Sequence, residues 1–168
     1  MSELVFLSLG SNLGDREANL AEAITALETY PEIMDVRSAS YYDTPPLINT
    51  DQPHFLNTVI QLTTDFKPFQ LLDAIQHIES MLGRSVEREK NEPRIIDIDI
   101  LLHGNSVIET DELTLPHPQL PYRKFVLVPF NEIAPDVLIP IFNRTVSELL
   151  NHCPDQSIIK KHRIESQA

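Results

Sequence analysis

The sequence lacks several features that would place the protein in a common class. A single cysteine, Cys153, excludes an internal disulfide and fits a reducing compartment. No apolar run approaches the ~20 residues that a membrane-spanning helix needs. The first residues, MSELVFLSLGSN, lack the basic start and the small-residue cleavage site of a signal peptide. We therefore expect a cytoplasmic protein with no membrane partner.

Positive charge is also scarce. Lysine and arginine together number 13 against 25 aspartates and glutamates, which gives a formal net charge of −12. Nucleic acids are bound mostly through surplus lysine and arginine, so we expect no nucleic-acid partner. A nucleotide remains compatible with this charge, because a metal ion or a few local arginines can neutralise its phosphates. The sequence has no glycine-rich Walker loop, which excludes a P-loop enzyme.

The remaining composition is that of an ordinary globular protein. The chain has 168 residues, of which 42% are hydrophobic and 23% are charged. This length suits one domain with a substantial core. No repeat, linker or low-complexity tract divides the sequence, so residues 1–168 are predicted to form a single domain. The last ten or so residues, which end in KKHRIESQA, are predicted to be frayed.

The order of the predicted elements indicates the fold. The elements are a strand over 3–9, a helix from about Asp15, strands over 36–42 and 55–63, a helix from Lys67-Pro68 to Gly83, and a strand over 95–102. This β-α-β-β-α-β order is typical of a ferredoxin-like split-βαβ core, an α+β fold with helices packed on an antiparallel sheet. After Thr110 the chain is rich in proline, and only short helical stretches are predicted, near Asn131 and over 145–150.

The stretch PRIIDIDILL, residues 93–102, contains the main candidate site. Side chains alternate along a strand, so Asp97 and Asp99 share one face, with Cα atoms about 6–7 Å apart, while the intervening isoleucines take the other. Two carboxylates in a partly buried place repel each other, and a cation would remove that cost. Mg²⁺ prefers oxygen ligands and completes its shell with water and phosphate oxygens. The spacing is equally compatible with a solvated strand face, so both alternatives stay open on spacing alone.

A cluster of cationic residues strengthens the metal hypothesis. Arg84, Arg88, Lys90 and Arg94 precede the aspartates. Such side chains can reach triphosphate oxygens through charge-assisted hydrogen bonds, and a long polar segment suits a lid over a substrate. The alternative is a solvated loop balanced by neighbouring glutamates. Metal ions and arginines together favour phosphoryl transfer, although no residue is evident as a general base.

At this point the sequence resembles a known family, the 6-hydroxymethyl-7,8-dihydropterin pyrophosphokinases of folate biosynthesis. The resemblance extends from Leu7 to about Leu150. It is carried by six blocks in matching order, namely LSLGSNLGDR, YDTPPL, DQPHFLNTV, IESMLGR, PRIIDIDILLHG and LTLPHPQLPYRKFVLVPFNEIAPD. The resemblance implies an enzyme that uses ATP and two Mg²⁺ ions. Such an enzyme transfers pyrophosphate from ATP to the hydroxymethyl group of the pterin and releases AMP.

The resemblance also implies roles for individual residues. Asp97 and Asp99 correspond to the metal ligands, and Arg84 and Arg94 correspond to arginines that contact the phosphates and support catalysis. The expected ATP contacts are Gln76, Glu79, Arg84, Lys90, Arg94, Ile100, Thr114, His117 and Arg123. The expected pterin contacts are Thr44, Pro45, Pro46, Leu47, Phe55, Asn57, Asp97 and Phe125.

Physical arguments support part of the pterin assignment. Phe55 and Phe125 can hold a flat heteroaromatic ring between their faces, with ordinary core packing as the alternative. Asn57 is two residues from Phe55 on a predicted strand and therefore shares its face. Its amide offers both a donor and an acceptor to the amide-like edge of a pterin. Asn91-Glu92, Val86 and Glu112 replace an aromatic lid residue and two arginines that many relatives carry.

Two other classes of function use the same residues. A metal-dependent phosphodiesterase or nuclease could be built on the aspartate pair, although the net charge of −12 disfavours it. A ferredoxin-like nucleotide-binding module would bind ATP without releasing AMP. Some relatives are fused to neighbouring folate enzymes, so an association with such an enzyme in trans is a further prediction.

Overall fold

The computed structural model describes residues 2–45, 51, 53–83 and 95–162. The strands are β1 (Glu3–Ser11), β2 (Ile33–Ser38), β3 (Tyr42–Thr44), β4 (Phe55–Thr64), β5 (Asp97–His103), β6 (Ile108–Glu109), β7 (Thr114–Leu115), β8 (Leu138–Ile139), β9 (Arg144–Thr145) and β10 (Lys160–Lys161). The helices are α1 (Arg16–Glu28), α2 (Pro68–Met81), α3 (Lys124–Ile133) and α4 (Val146–Asn151).

One antiparallel sheet organises these elements. Its strands lie in the order β10-β3-β4-β1-β5, and β2 also pairs with β4. β1 is therefore central, with β4 on one side and β5 on the other. β5 lies at one end of the order and forms an edge of the sheet. This arrangement is the α+β, split-βαβ core that the sequence predicts.

Helices α1 and α2 pack on one face of the sheet. Asp15 caps α1 by accepting a hydrogen bond from the Ala18 amide at 3.1 Å, and Gly83 ends α2 with a φ of 102°. We call this side the helix-covered face; its buried strand residues include Val5, Leu7, Leu9, Ile33, Leu56, Ile60, Leu62, Ile98 and Ile100. Throughout the described ranges, each helix is too short or too polar to cross a bilayer.

Helices α3 and α4 cover part of the opposite face. The rings of Phe6 on β1 and Phe130 on α3 meet there, with centroids 4.6 Å apart. The same apolar cluster includes Val59, Leu101, Leu102, Val126, Leu127, Val146 and Leu149. The rest of this face is largely polar, with the Phe55 ring beside the polar groups. We call it the site face, and its side chains come from Thr44, Asn57, Asp97 and Asp99 around the backbone of Gly10.

A β-bulge lets β5 contribute to the cores on both faces. Two residues, Ile100 and Leu101, stand opposite Leu7 of β1, and the regular pairing resumes with Leu102 opposite Phe6. As a result Leu101 and Leu102 both join the apolar cluster under α3, whereas Ile100 belongs to the helix-covered face. The bulge separates the polar start of β5 from its apolar end.

Two strand predictions need correction. The predicted strand over 36–42 is divided into β2 and β3, because between Ser38 and Tyr42 the chain advances four residues while β4 advances three. The extra residue breaks the ladder. β1 does not end at Leu9, since Gly10 and Ser11 remain paired with β4.

The C-terminal part of the chain also differs from the prediction. Helix α3 has 10 residues, longer than the short stretch expected near Asn131, and it contains Pro129. Proline forfeits one helical hydrogen bond, but burial of Val126, Leu127 and Phe130 on the apolar face offsets that loss.

The predicted fraying does not apply to residues 160–162. Lys160 and Lys161 form β10 against β3, and the His162 amide donates to the Tyr41 carbonyl at 2.8 Å. The His162 ring also pairs with Glu17 of α1. Residues 163–168 lie outside the described ranges.

Candidate active site

Four neighbouring strands build the site face in register. Asp97 of β5 stands opposite Gly10 of β1, Gly10 stands opposite Asn57 of β4, and Asn57 stands opposite Tyr42 of β3. Residues that pair directly across strands share a face of the sheet. The polar positions of distant sequence segments are therefore brought into one row, with Thr44 two residues beyond Tyr42.

Gly10 lies at the centre of this row and makes room for Asn57. A Cβ atom at Gly10 would lie 2.5 Å from Asn57 Oδ1 and 3.6 Å from the Phe55 ring. The Asn57 side chain therefore lies directly over the Gly10 backbone. It is 7% exposed, and its Nδ2 donates a hydrogen bond to Thr44 Oγ1 at 2.6 Å. Only glycine permits so close an approach. We call Asn57 and Thr44, together with the Gly10 backbone, the polar floor.

Asp97 and Asp99 occupy the site face of β5, as predicted. Both are partly exposed, whereas Ile98 between them is buried on the helix-covered face. Their partners on β1 are Gly10 and Ser8, two small residues. The described residues include no group of three or more His, Cys, Asp or Glu side chains that could enclose a metal. A carboxylate pair of this kind fits Mg²⁺, which takes one or two protein carboxylates and fills its shell with water and phosphate oxygens.

Glu79 lies next to β5 on α2, the helix that packs on the helix-covered face. It belongs to α2 and is 3% exposed, whereas Gln76, one turn earlier, is exposed. Glu79 Oε2 accepts a hydrogen bond from the Ile98 amide at 2.9 Å. Because that amide hydrogen bonds to Glu79, it points away from β1 and toward the outer edge of the sheet. Glu79 is therefore buried between α2 and β5, unlike the exposed Gln76 of the same helix.

His117 lies beside β5 in a defined protonation state. Its amide donates to the Leu101 carbonyl at 3.0 Å, and its Nδ1 accepts from the Gln119 amide at 3.1 Å. Desolvation, followed by the charge of Arg123, lowers the pKa of His117 to about 4. The ring is therefore neutral near pH 7, with its hydrogen on Nε2, where it can be donated to a ligand.

Arg123 and Phe125 lie at the start of α3. Arg123 is the N-cap residue, and its guanidinium carbon is 5.8 Å from the centroid of the Phe125 ring. This cation–π contact couples the orientations of the two side chains. Both residues are partly exposed, as is Phe55 at the start of β4, so all three remain accessible to a ligand.

Glu132 ties the other end of α3 to the sheet. Its carboxylate accepts hydrogen bonds from Tyr42 Oη at 2.5 Å, from the Ser40 amide at 2.9 Å and from Ser40 Oγ at 3.1 Å. Partial burial alone would raise the pKa of Glu132, but these bonds lower it below its ordinary value. Desolvation and the bond to Glu132 raise the pKa of Tyr42. Sequence analysis missed this contact, because partners about ninety residues apart share no local pattern.

A second missed cluster braces the segments beside Thr44 and Phe55. Arg16 Nη1 donates to the His54 carbonyl at 2.9 Å and lies 3.6 Å from Asp43 Oδ2. Asp43 Oδ1 is in turn 2.8 Å from His54 Nδ1. The cluster connects α1, β3 and the chain before β4. The LGDR block includes Arg16, but nothing in the sequence identifies its partners.

The other predicted residues fall into two groups. The Ile100 side chain is 5% exposed in the core, so a nucleotide contact would have to use its backbone. Thr114 is partly exposed on β7, and Pro45 directly follows β3. The remaining predicted residues lie outside the described ranges, and they are Pro46, Leu47, Arg84, Lys90 and Arg94.

Comparisons with known proteins point to one family. The sequence model of the family described as 7,8-dihydro-6-hydroxymethylpterin-pyrophosphokinase (HPPK) matches residues 6–135. The 2-amino-4-hydroxy-6-hydroxymethyldihydropteridine pyrophosphokinase of Methylorubrum extorquens is 43% identical over 86% of this chain and 90% of its own length. The enzyme of the same name from Bacillus subtilis is 40% identical over 82% of this chain and 81% of its own length.

The fold has a counterpart among solved structures. The crystal structure of Plasmodium falciparum HPPK-DHPS with pteroate matches with a TM-score of 0.70 and 17% identity. The match covers 90% of this chain and 42% of the Plasmodium chain, and at this identity it supports the fold alone. The family model and the two relatives above establish the assignment. This chain belongs to the 7,8-dihydro-6-hydroxymethylpterin-pyrophosphokinase family.

Proposed function

We propose that this chain transfers pyrophosphate from ATP to the hydroxymethyl oxygen of 6-hydroxymethyl-7,8-dihydropterin on its site face. The hydroxymethyl oxygen attacks the β-phosphorus, and its proton passes to water. The bond from that phosphorus to the oxygen bridging the α-phosphorus breaks, and AMP leaves with that oxygen. The observation that carries the proposal is the placement of a carboxylate pair, Asp97 and Asp99, across Gly10 from the polar floor at Asn57.

The metal end of the site is assigned to Asp97 and Asp99. When bound there, Mg²⁺ neutralises phosphate charge and polarises the phosphoryl group. The chain's own contribution is to present two carboxylates at strand spacing on a paired β-strand, opposite Gly10 and Ser8. The family roles of Arg84 and Arg94 in contacting phosphates remain predictions, because these residues lie outside the described ranges.

The pterin end is assigned to Asn57 and its neighbours. One Nδ2 hydrogen of Asn57 is donated to Thr44 Oγ1, which leaves the second hydrogen and the carbonyl oxygen for the edge of a ring. Thr44 accepts that bond and retains its own hydroxyl hydrogen as a donor. Phe55 on β4 and Phe125 on α3 supply partly exposed aromatic faces for stacking.

The nucleotide end is assigned to residues on three other elements. His117 offers a neutral Nε2–H donor, and Arg123 adds a permanent positive charge; both groups suit phosphate oxygens. Gln76 is exposed on α2, and Thr114 is partly exposed on β7, as nucleotide contacts require. Ile100 would contribute through its backbone.

Product analysis tests the reaction. The chain is incubated with ATP and Mg²⁺, with and without the pterin, and nucleotides are separated by chromatography. Asp97→Ala serves as the site variant, and Asp136→Ala, an exposed aspartate preceding β8, as the matched control. We expect pterin-dependent AMP from the wild type and the control but not from the site variant. ADP as product would refute attack at the β-phosphorus, and ATP binding without turnover would favour a binding module.

Two predictions depend on less direct support. The Plasmodium chain joins HPPK to DHPS in one protein, and we propose that a separate enzyme of the same pathway associates with this chain in trans. Sedimentation of this chain mixed with a purified DHPS tests that association, and an unchanged sedimentation coefficient would rule out a stable complex. The cytoplasmic location stays a prediction from the sequence.

A further inference from the structure

We infer that Glu79 is a positioning residue that holds Asp97 and Asp99 in their metal-binding orientation through the Ile98 amide, and that it is not a direct contact of ATP. The inference rests on the proposed function, because it assumes that the two aspartates bind the metal. It changes the role that the family resemblance implies for Glu79.

The burial of Glu79 is the first observation. A carboxylate that is 3% exposed has lost nearly all contact with water, and such a loss costs free energy unless hydrogen bonds replace it. Glu79 Oε2 accepts the Ile98 amide hydrogen at 2.9 Å, a charge-assisted bond of normal length. One carboxylate oxygen is thus bonded to the backbone of β5, and the side chain has little exposed surface left for a ligand.

The position of Ile98 is the second observation. The Ile98 amide belongs to the peptide unit that links Asp97 to Ile98, and that unit is planar. Fixing the direction of its N–H therefore restricts the rotation of the backbone on both sides. Because the Cα–Cβ bonds follow the backbone, the bond from Glu79 restrains both aspartate side chains, which project from the opposite face.

The place of β5 in the sheet explains why such a restraint is needed. β5 is an edge strand, with β1 on its inner side and a bulge at Ile100 and Leu101 just beyond the aspartates. Edge strands next to bulges are held less firmly than central strands, since half of their backbone groups face away from the sheet. Glu79 supplies the missing anchor from α2, at the residue between the two carboxylates.

The experiment compares two substitutions at this position. Glu79→Leu removes the acceptor at similar volume, and Glu79→Gln keeps a carbonyl oxygen that can accept the Ile98 hydrogen while removing the charge. Asp73→Leu is the matched control, because it makes the same type of change at an exposed position of the same helix. Hydrogen exchange of the Ile98 amide is measured by NMR on the full chain. Mn²⁺ binding, with and without α,β-methylene-ATP, is measured by electron paramagnetic resonance.

In the Leu variant, we expect exchange at Ile98 to accelerate roughly tenfold to hundredfold, as the loss of one hydrogen bond to a charged acceptor predicts. Mn²⁺ affinity should fall about tenfold or more, the usual effect of removing a group that orients a metal ligand. The Gln variant should keep Ile98 protection, Mn²⁺ affinity and the KM for ATP within about threefold of wild type. Asp73→Leu should leave all three unchanged.

Two results would overturn the inference. One is faster exchange at Ile98 in the Leu variant with unchanged Mn²⁺ affinity. The other is a Gln variant whose KM for ATP rises about tenfold while Ile98 stays protected, since that would mean a direct nucleotide contact. If the Leu variant does not fold, the Gln variant decides between the same two roles.

A separate measurement shows whether the proposed function itself is wrong. If Asp97→Ala binds Mn²⁺ with α,β-methylene-ATP as tightly as the wild type, the aspartates are not the metal site, whatever Glu79 does. Ile98 protection in the Glu79 variants is measured without metal, so the hydrogen-bond part of the inference is tested separately.

Discussion

The two faces of the sheet are formed by alternate residues of the same strands, yet they have opposite characters. On the helix-covered face, Leu56 and Ile98 are buried under α1 and α2. Their neighbours Asn57 and Asp97 lie on the site face, where side chains are polar and α3 covers only part of the surface. Stability and chemistry are therefore assigned to adjacent positions, and only the strand register separates them.

This comparison shows how a small sheet can support a site without a separate scaffold. A slip of one residue would move Asn57 of β4, or the two aspartates of β5, into the apolar core and would bring their apolar neighbours to the site. A large burial energy therefore enforces the register on which the site depends. Substitutions on the two faces should consequently produce separable effects, and the following predictions test that separation.

The largest effect is expected at the metal end of the site face. Asp99→Ala should lower kcat/KM for ATP by on the order of 10³-fold or more, because several kcal/mol of metal-assisted charge stabilisation are lost. The free energy of unfolding should change little, since Asp99 is partly exposed. AMP release and urea denaturation measure the two quantities. If Asp99→Ala also lowered the free energy of unfolding substantially, the effects of the two faces would not be separable at this position.

At Leu56, next to Asn57 on β4, we expect the opposite result, which is a loss of stability with little loss of activity. Leu56→Ala should reduce the free energy of unfolding by about 2–5 kcal/mol, because a buried leucine leaves a cavity. The folded fraction should keep a near-normal kcat, measured at low temperature. Leu4→Ala, at a leucine of β1 that is 41% exposed, is the control and should cost about 0.5 kcal/mol or less. A clear loss of kcat in the folded fraction of Leu56→Ala would contradict the division between the two faces.

Gly10 is expected to affect both the stability of the fold and pterin binding. Gly10→Ala should displace Asn57, because the new Cβ would lie 2.5 Å from Asn57 Oδ1, and it should weaken pterin binding by about tenfold. Unfolding and calorimetric binding measurements are compared for Gly10→Ala, Asn57→Ala and the double variant. The double variant should recover part of the stability lost in Gly10→Ala, since the clash is gone, but none of the pterin affinity. Strict additivity in stability would show that the two groups do not collide.

The smallest effect is a dependence of stability on pH. The folded-state pKa of His117 is about 4, below the ordinary value of 6.5, so the unfolded chain binds more protons between these values. The contribution of His117 to stability should therefore be complete above pH 6.5 and decline as the pH falls toward about 4. Urea unfolding of the wild type and of His117→Asn, together with an NMR titration of the ring, tests this. The variant should show a shallower decline, and a ring that titrates near 6.5 in the folded protein would refute it.

Regular patterns explain which parts of the fold were predictable. The short run over 55–63 predicted β4, and the spacing of Leu71, Ile75 and Ile78 predicted α2, because each type of element has its own side-chain period. The faces of Asp97 and Ile98 followed from the same rule. The division of the second strand, the length of α3 around Pro129 and the pairing of β10 were not predictable, since each depends on tertiary packing that outweighs local preference.

Prediction of the site was limited in the same way, because contacts between remote segments leave no local pattern. Its metal-binding and pterin-binding candidates were predicted from motifs, but the bond from Glu79 to Ile98 and the bond from Tyr42 to Glu132 were not. Both join residues far apart in sequence, and neither position has a local pattern that distinguishes a buried acceptor from a surface carboxylate.

The sequence by itself determined the order of strands and helices and the alternation that puts two carboxylates on one face, because these depend on residue spacing along a single element. The tertiary structure decided which elements meet. The stacking of Asn57 over the Gly10 backbone, the neutral state of His117 and the anchoring of an edge strand by Glu79 arise only when remote segments are packed together and water is excluded. Distances and desolvation, which no local pattern encodes, control each of them.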